Sequence, residues 1–264
     1  MADDERERLR ATFTEDPALY DRVRPGYPEE MFDDLAGAAD LGTGSLVLEI
    51  GPGTGQATVP MVRRGWEVVA VELGAAMAER ARRNLRPYPR AEVVTAAFED
   101  WPLPRRPFDA VVSATAFHWI DPDVRIAKSA KALRPGGVLA TVATHHVKGG
   151  TVGFFHEVQA CYERFDPATP PGLRLSPAAE IPYDRDEIES AEGFGPPEFI
   201  RYEWELAYST EQYIDLLRTY SGHRALPPTA RAGLLNCVAA LADARYGGRV
   251  VKRYLTELRV ARRQ

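Results

Sequence analysis

Short runs of apolar residues alternate with longer amphipathic segments through the first half of the chain. The runs SLVLEI, WEVVAVE, AEVVTAAF, FDAVVSATA and GVLATVAT have the length of buried strands and are bounded by glycine, proline or polar residues. The segments between them space their apolar positions as helices do, for example GAAMAERARRNL and PDVRIAKSAKALRPGG, the second ending in a Pro-Gly-Gly stop. Strands that alternate with crossover helices predict a parallel sheet covered on both faces.

The pattern changes after about residue 147. Residues 148–197 combine an apolar patch, GFFHEVQACYERF, with a proline-rich stretch, and predict an insertion or lid on the substrate side. Two late strands, FIRYEWELAYS and GRVVKRYLTELRVARR, are separated by helical segments, while residues 1–40 predict a helical cap that the turn RPGYP interrupts. We therefore expect one α/β domain over residues 1–264, with a doubly wound, mostly parallel, seven-stranded sheet.

Composition and charge narrow the classes of function. The chain has 264 residues, 45% of them hydrophobic, which is enough for one large domain. A net charge of −5 and a pI near 5.7 provide no global basic field for nucleic acid. No apolar run reaches membrane-spanning length, and the charged start MADDERERLR is unlike a signal peptide, so we expect a cytoplasmic protein. Arginine far outnumbers lysine, a bias typical of high-GC bacterial genomes.

Cysteine and histidine positions give no sign of a metal site. Cys161 and Cys237 match no metal-ligand spacing; they could form a disulfide, but reduced, buried thiols are what we expect in an intracellular protein. His145 and His146 are adjacent and would point to opposite sides of a strand, so they make no metal pair, and we predict no metal. The last arginines predict a solvated tail: Arg259, Arg262 and Arg263.

A glycine-rich turn follows the first predicted strand, in LVLEIGPGTGQATVP. A phosphate-binding loop needs Lys and then Ser or Thr after its last glycine, and Gln56 and Ala57 occupy those places. A dinucleotide turn, G-x-G-x-x-G, needs its third glycine at position 56. The spacing is instead G-x-G-x-G: Gly51, Gly53 and Gly55. Glu49, two residues before the first glycine, suits a ligand with a positive charge better than a pyrophosphate.

Segments along nearly the whole chain resemble the class I S-adenosylmethionine (SAM)-dependent methyltransferases. YDRVRPGYP, LEIGPGTGQ, VVAVELGAAM, AAFEDWPLP, FDAVVSATAFHWIDP and ALRPGGVLA occur in the order of that family, and YSTEQYIDLLRTYSG and LRVARR follow. Within the class, the chain resembles the small-molecule group labelled methyltransferase type 11 or trans-aconitate methyltransferase-like. The resemblance implies a Rossmann-like sheet, SAM as cofactor and methyl donor, and a small-molecule acceptor.

The resemblance also implies which residues bind the cofactor. Gly51, Gly53 and Gly55 would lie beside the methionine moiety, which Glu49 would orient through the ammonium group or a water. Glu72, at the end of the second strand, would accept both ribose hydroxyls, since a carboxylate has two oxygens. The other residues assigned to the cofactor are Tyr20, Arg24, Leu73, Met77, Phe98, Glu99 and Ala114, with Thr115 beside the last.

Individual residues are also assigned to the carboxylate and to the adenine of the cofactor. Arg24 or Tyr20 would meet the carboxylate of the cofactor, since a guanidinium offers a fork of donors. Tyr27 either folds over the cofactor with them or packs as an ordinary turn residue. The family often has an acid near residue 97 that accepts from the adenine amino group; Ala97 stands there, so Glu99 is assigned as its substitute.

The segment AFHWID, directly after the fourth strand, is the candidate catalytic end. Methyl transfer from a sulfonium is an in-line displacement that the cofactor itself activates, so the enzyme aligns the reactants and excludes water. Phe117, His118 and Trp119 suit that role. His118 either deprotonates a hydroxyl or only positions the substrate, and we favour positioning.

We favour methylation at oxygen, of a carboxylate or a hydroxyl. Methylation at carbon or nitrogen, and a SAM-fold protein that binds without transfer, are the alternatives. We expect a monomer or homodimer with neither nucleic acid nor a membrane as partner.

Overall fold

The computed structural model describes residue 6, residues 8–10 and residues 12–264, apart from the side chain of residue 13. The chain divides into two compact units. Unit 1 comprises the chain up to Arg24 together with His145–Pro182 and Glu203–Leu255. Unit 2 comprises Pro25–Thr144, Tyr183–Tyr202 and Thr256–Gln264. The predicted insertion, residues 148–197, is therefore divided between the two units.

Seven strands form one sheet in the order β3-β2-β1-β4-β5-β7-β6. The strands are β1 Leu46–Ile50, β2 Glu67–Glu72, β3 Ala91–Thr95, β4 Phe108–Ala114, β5 Leu133–Val147, β6 Glu198–Ser209 and β7 Arg249–Arg262. All neighbouring pairs from β3 to β5 are parallel, with Leu48 of β1 opposite both Val69 and Val111. The predicted doubly wound, mostly parallel, Rossmann-like sheet is confirmed. Its strand order reverses at β1, where such sheets bind ligands.

Helices connect the strands. From residue 12 onward they are α1 Pro17–Val23, α2 Glu29–Ala38, α3 Thr58–Arg63, α4 Ala75–Leu85, α5 Pro122–Ala132, α6 Val152–Glu157, α7 Gln159–Phe165, α8 Asp186–Glu189, α9 Thr210–Leu217, α10 Ser221–Ala225 and α11 Pro228–Tyr246. The turn RPGYP separates α1 from α2, as the sequence predicts. In the described part of the chain, no helix is both long and apolar enough to cross a membrane.

Apolar clusters cover both faces of the sheet in unit 2. Val47 packs in one cluster with Trp66, whereas its neighbour Leu48 packs in another with Phe98. Adjacent residues of a strand point to opposite faces, so the alternation places one cluster on each side. Unit 1 has its own cluster, in which Phe154 contacts aromatic rings such as that of Tyr213 edge to face.

The Pro-Gly-Gly segment is not the helix stop that the sequence predicts. Helix α5 ends at Ala132 and β5 begins at Leu133, so residues 135–137 lie within the strand. A Cβ added to Gly137 would lie 3.0 Å from the backbone oxygen of Asp109. The glycine therefore allows β5 to approach β4 closely, and the helix ends before it.

The two cysteines form a disulfide, so the expectation of reduced thiols is wrong. Cys161 of α7 is bonded to Cys237 of α11, with their Cα atoms 5.8 Å apart. The two positions are 76 residues apart in the sequence, and the packing of α7 against α11 brings them together.

The arginines near the carboxyl end are not a solvated tail. Arg259 lies in β7 with 6% of its surface exposed, and it donates from Nε to Thr141 Oγ1 at 2.9 Å and from Nη1 to Asp184 at 2.9 Å. Arg262 and Arg263 donate to backbone carbonyl oxygens. The prediction is wrong because β7 lies inside the sheet, between β5 and β6.

Candidate functional site

The glycine-rich loop connects β1 to α3 in unit 2. Gly51, Gly53 and Gly55 have φ angles of +70°, +62° and +104°, which glycine adopts without the penalty of a side chain. A Cβ added to Gly51 would lie 2.5 Å from the Cβ of Ala116, in the segment that follows β4. The loop therefore packs directly on the neighbouring strand end, and both the turn and this close approach require glycine.

Glu49 is a buried acid at the end of β1. Only 1% of its surface is exposed, and its Oε2 accepts a hydrogen bond from Thr58 Oγ1 at 2.6 Å. Burial raises the pKa of Glu49 to about 8; the Thr58 hydroxyl opposes this rise and the charge of Glu72 adds to it. Within the described part of the chain, no cation contacts this carboxyl. A cationic group brought next to it would favour the ionised form.

The sequence analysis did not single out Thr58, the hydrogen-bond partner of Glu49. It is the first residue of α3 and is fully buried. A hydroxyl residue opening the helix after a glycine-rich turn, with an acid at the end of the preceding strand, is the signal that would have found it.

The carboxylate of Glu72 links two loops. It ends β2, accepts from the backbone N–H of Gly53 at 3.0 Å through Oε2, and accepts from that of Gly74 at 2.9 Å through Oε1. Glu72 thus stabilises the glycine-rich loop.

The residues assigned to adenosine differ in exposure. Leu73 is 43% exposed, whereas Met77 and Phe98 are buried at 3% and 1%. The carboxylate of Glu99 accepts from the backbone N–H of Asp121 at 3.2 Å. Of the three apolar side chains, Leu73 offers most surface for contact with a ligand.

Backbone strain marks the end of β4. Thr115, directly after Ala114, has a φ of +54°, which is rare for a β-branched residue, and its N–H donates to Val142 O at 2.8 Å. The hydroxyl groups of Thr115 and Tyr27 are 2.8 Å apart. Tyr27 is thus fixed at the strand end where a ligand of this fold would lie. Strain of this kind clusters at functional sites.

Phe117, His118 and Trp119 form a single turn of 3₁₀-helix beyond that strand end. Phe117 is buried, His118 is exposed and Trp119 is half-buried, with 4.8 Å between the centroids of the His118 and Trp119 rings. Desolvation by the surrounding protein, followed by the charge of Arg125, lowers the pKa of His118. The imidazole is therefore neutral near pH 7, since its ordinary pKa of about 6.5 is already below that.

An ion-pair network that the sequence analysis missed holds this turn. Arg125 of α5 donates from Nη1 to Phe117 O at 3.1 Å and from Nε to the carboxylate of Glu187. Arg259 lies 3.9 Å from the same carboxylate. The Arg125 and Glu187 side chains are mostly buried, at 16% and 24% exposed, so the network anchors the turn that carries His118.

Tyr20 and Arg24 belong to unit 1. Arg24 donates from Nε to Thr219 Oγ1 at 2.9 Å and from Nη2 to Thr219 O at 2.8 Å. Its guanidinium carbon lies 5.0 Å from the ring centroid of Tyr20 and 4.6 Å from that of Tyr220. In the described part of the chain, Nη1 makes no hydrogen bond.

Comparison with known proteins assigns the chain to a class. A family model described as a methyltransferase domain matches residues 47–137, from β1 into β5. An uncharacterized methyltransferase of Mycobacterium tuberculosis is 31% identical over 223 residues, covering 84% of this chain and 82% of the relative. A methyltransferase-like protein of Schizosaccharomyces pombe is 24% identical, covering 82% and 80%.

Solved structures have the same fold. A candidate type II methyltransferase from Anaeromyxobacter dehalogenans is 26% identical, with a TM-score of 0.57 over 90% of this chain and 97% of that one. A phosphoethanolamine N-methyltransferase from Haemonchus contortus, in complex with phosphomonomethylethanolamine and S-adenosylhomocysteine, has a TM-score of 0.55. It is 17% identical and covers 98% of this chain and 60% of its own, a likeness of fold alone.

The sheet order, the glycine-rich loop and these matches define a class I SAM-dependent methyltransferase. The chain belongs to the methyltransferase family of the mycobacterial relative. The narrower resemblance to the trans-aconitate-like group stays a prediction.

Proposed function

We propose that this protein transfers a methyl group from SAM to a small-molecule acceptor, at an oxygen of a carboxylate or hydroxyl. The observation that carries the cofactor assignment is Glu49. Its carboxyl is buried beside the glycine-rich loop with a hydroxyl as its hydrogen-bond partner, and its pKa is raised to about 8. SAM carries a positively charged ammonium group that would pair with this carboxylate.

The residues present fit the cofactor. Glu72 would hold the ribose hydroxyls, the loop glycines would lie beside the methionine moiety, and Leu73 would pack on the adenosine. The remaining residues of unit 2 proposed for the cofactor are Met77, Phe98, Glu99 and Ala114. The bound cofactor supplies an electrophilic methyl group on a sulfonium. Phe117, His118 and Trp119 would orient the acceptor and keep water away from it.

Charge supports a small molecule as the acceptor. The net charge is −5, and a protein that docks on nucleic acid would need a basic surface. For the oligomeric state we propose a monomer or homodimer. A screen with methyl-labelled SAM and a cell extract, read by mass spectrometry, identifies the methylated product. Binding without any labelled product would favour the alternative, a SAM-binding protein that does not transfer.

We keep the cytoplasmic location that the sequence predicts as a proposal. The redox state of Cys161 and Cys237 in the cell tests it, because the two cysteines can form a disulfide. Disulfides are rare in reducing compartments. Thiol labelling in intact cells tests the proposal: a disulfide that is already formed there would contradict a cytoplasmic location, whereas cysteines that react in cells and pair only after purification would support it.

We expect Glu72→Ala to weaken binding of S-adenosylhomocysteine by about 1.5–3 kcal/mol, because charged hydrogen bonds to two hydroxyls are lost. The variant also frees the N–H groups of Gly53 and Gly74, so part of the loss reflects a looser loop. Isothermal titration calorimetry measures the affinity, roughly 10- to 150-fold weaker on this scale.

Glu67→Ala is the matched control, since Glu67 begins the same strand and forms an exposed ion pair with Arg106. It should leave the affinity unchanged. An unaltered affinity in Glu72→Ala would remove Glu72 from the cofactor site. Binding of NAD in place of S-adenosylhomocysteine by the wild type would refute the cofactor assignment itself.

We expect His118→Gln to raise KM with a modest loss of kcat, because a positioning residue keeps one hydrogen bond as glutamine. A general base would instead cost on the order of 10²–10⁴ in kcat. If His118 were a general base, its pKa would determine the pH at which activity is lost. Because that pKa is lowered, activity would fall on acidification only below the ordinary histidine range. Steady-state kinetics at several pH values distinguishes the two roles, and a large loss confined to kcat would contradict positioning.

A further inference from the structure

Unit 1 contains a buried lysine without an acidic partner. Lys252 of β7 is 4% exposed, and its ammonium group donates to the hydroxyl of Tyr220 at 2.8 Å. The nitrogen also lies 5.1 Å from the ring centroid of Tyr220 and 4.8 Å from that of Tyr254. Over the described positions of the chain, no carboxylate forms an ion pair with Lys252. An ammonium with three donors thus has one hydrogen-bond acceptor, the Tyr220 hydroxyl.

A second cation and an unsatisfied imidazole lie in the same cluster. The guanidinium of Arg24 packs on the ring of Tyr220, which Lys252 also contacts. The hydrogen bonds of Arg24 go to Thr219, which is neutral. The Nε2 atom of His146 is buried without a hydrogen-bond partner. Burial, and then the charge of Lys252, lowers the pKa of His146 to about 2, so this imidazole is neutral and can donate one N–H.

Asp166, an acid of the same unit, has its hydrogen bonds elsewhere. The charge of Asp166 influences His223, and its carboxylate accepts from the backbone N–H of Ala168 at 3.1 Å and the hydroxyl of Thr169 at 3.1 Å. It forms no ion pair with Arg24 or Lys252 among the described residues. The cluster therefore carries two positive charges that the side chains around them do not balance.

Buried charges of this kind are costly unless they are paired. A bound anion would pair them. Part of the cluster lies near the surface, because Tyr220, His146 and Arg24 are each partly exposed. Trp204 stacks on Tyr254 with 4.7 Å between ring centroids, so the cluster includes a pair of stacked aromatic rings. Aromatic rings of this kind favour contact with an anion that carries an apolar or aromatic body.

We propose that Lys252, Tyr220 and His146, with Arg24 beside them, form a binding site in unit 1 for the carboxylate of a small apolar or aromatic acid. Lys252 and the His146 N–H donate to the carboxylate, Arg24 adds charge, and Trp204 and Tyr254 contact the organic body. The inference goes beyond the proposed function, since it concerns binding of an acid and stands or falls without methyl transfer.

Benzoate tests the site, with benzamide as a neutral molecule of the same shape. Calorimetry on the whole protein should show benzoate binding at least about tenfold more tightly than benzamide, the ratio that 1.4 kcal/mol provides. Lys252→Met should remove this preference. Lys148→Met, an exposed lysine of the same unit, should retain it. Equal binding of the two probes to the wild type would overturn the proposal, whether or not Lys252→Met folds.

Two further measurements test whether the anion comes from the cofactor or from Tyr220 instead of from a separate acid. Benzoate should still bind when S-adenosylhomocysteine is saturating; competition would show that the cofactor carboxylate fills this position and would overturn a separate site. The near-ultraviolet absorbance of phenolate should be the same at neutral pH in the wild type and in Tyr220→Phe. A phenolate band lost in that variant would mean that Tyr220 supplies the anion itself, and the proposal would be wrong.

Discussion

Replacing both Cys161 and Cys237 by alanine is expected to lower the free energy of unfolding by about 2–5 kcal/mol. The bond closes a segment of 76 residues and joins α7 to α11 within unit 1. In the chain-entropy account, a crosslink over so long a segment stabilises mainly by restricting the unfolded chain. Denaturant unfolding of the oxidised wild type and of the double variant measures the difference.

Reduction of the wild type should reproduce most of this loss without any substitution. Single replacement of either cysteine should cost nearly as much as the double, since the bond is lost in each case. A change well under about 1 kcal/mol, or two titratable thiols in the oxidised protein, would contradict a stabilising disulfide.

Gly51→Ala should lower the free energy of unfolding by about 2–5 kcal/mol and bring cofactor binding below detection. The backbone at Gly51 has a φ of +70°, and the added Cβ would lie 2.5 Å from the Cβ of Ala116. The positive φ strains the substituted residue itself. The clash with Ala116 forces the loop away from the end of β4, which displaces the N–H of Gly53 from Glu72 as well.

Gly44→Ala separates these two causes. Gly44 has a φ of +85° but nothing within 4 Å of its added Cβ, so this variant pays only the backbone strain, about 1–2 kcal/mol, and should bind S-adenosylhomocysteine normally. Calorimetry and denaturant unfolding on both variants test the comparison. Equal losses of stability would mean that the contact with Ala116 relaxes freely.

Local patterns in the sequence were sufficient for the sheet and for the loop. Strands that are buried on both faces read as short apolar runs, so β1, β2, β4 and β5 could be predicted from the chain alone. The glycines at 51, 53 and 55 were identifiable because glycine tolerates positive φ angles, and that tolerance depends only on the residue itself. The position of Glu49 before them was equally visible.

Contacts between distant residues could not be predicted from local patterns. Cys161 meets Cys237 because two helices pack, and Arg259 is buried because β7 enters the middle of the sheet. The pairing of Arg125 with Glu187 likewise joins positions 62 residues apart.

The sequence by itself thus determined which segments are strands and which turn requires glycine, since periodicity and backbone conformation are local. The tertiary structure alone decided which charges are buried and what faces them. The raised pKa of Glu49 and the unpaired ammonium of Lys252 both follow from burial, and burial depends on every element that packs around a residue.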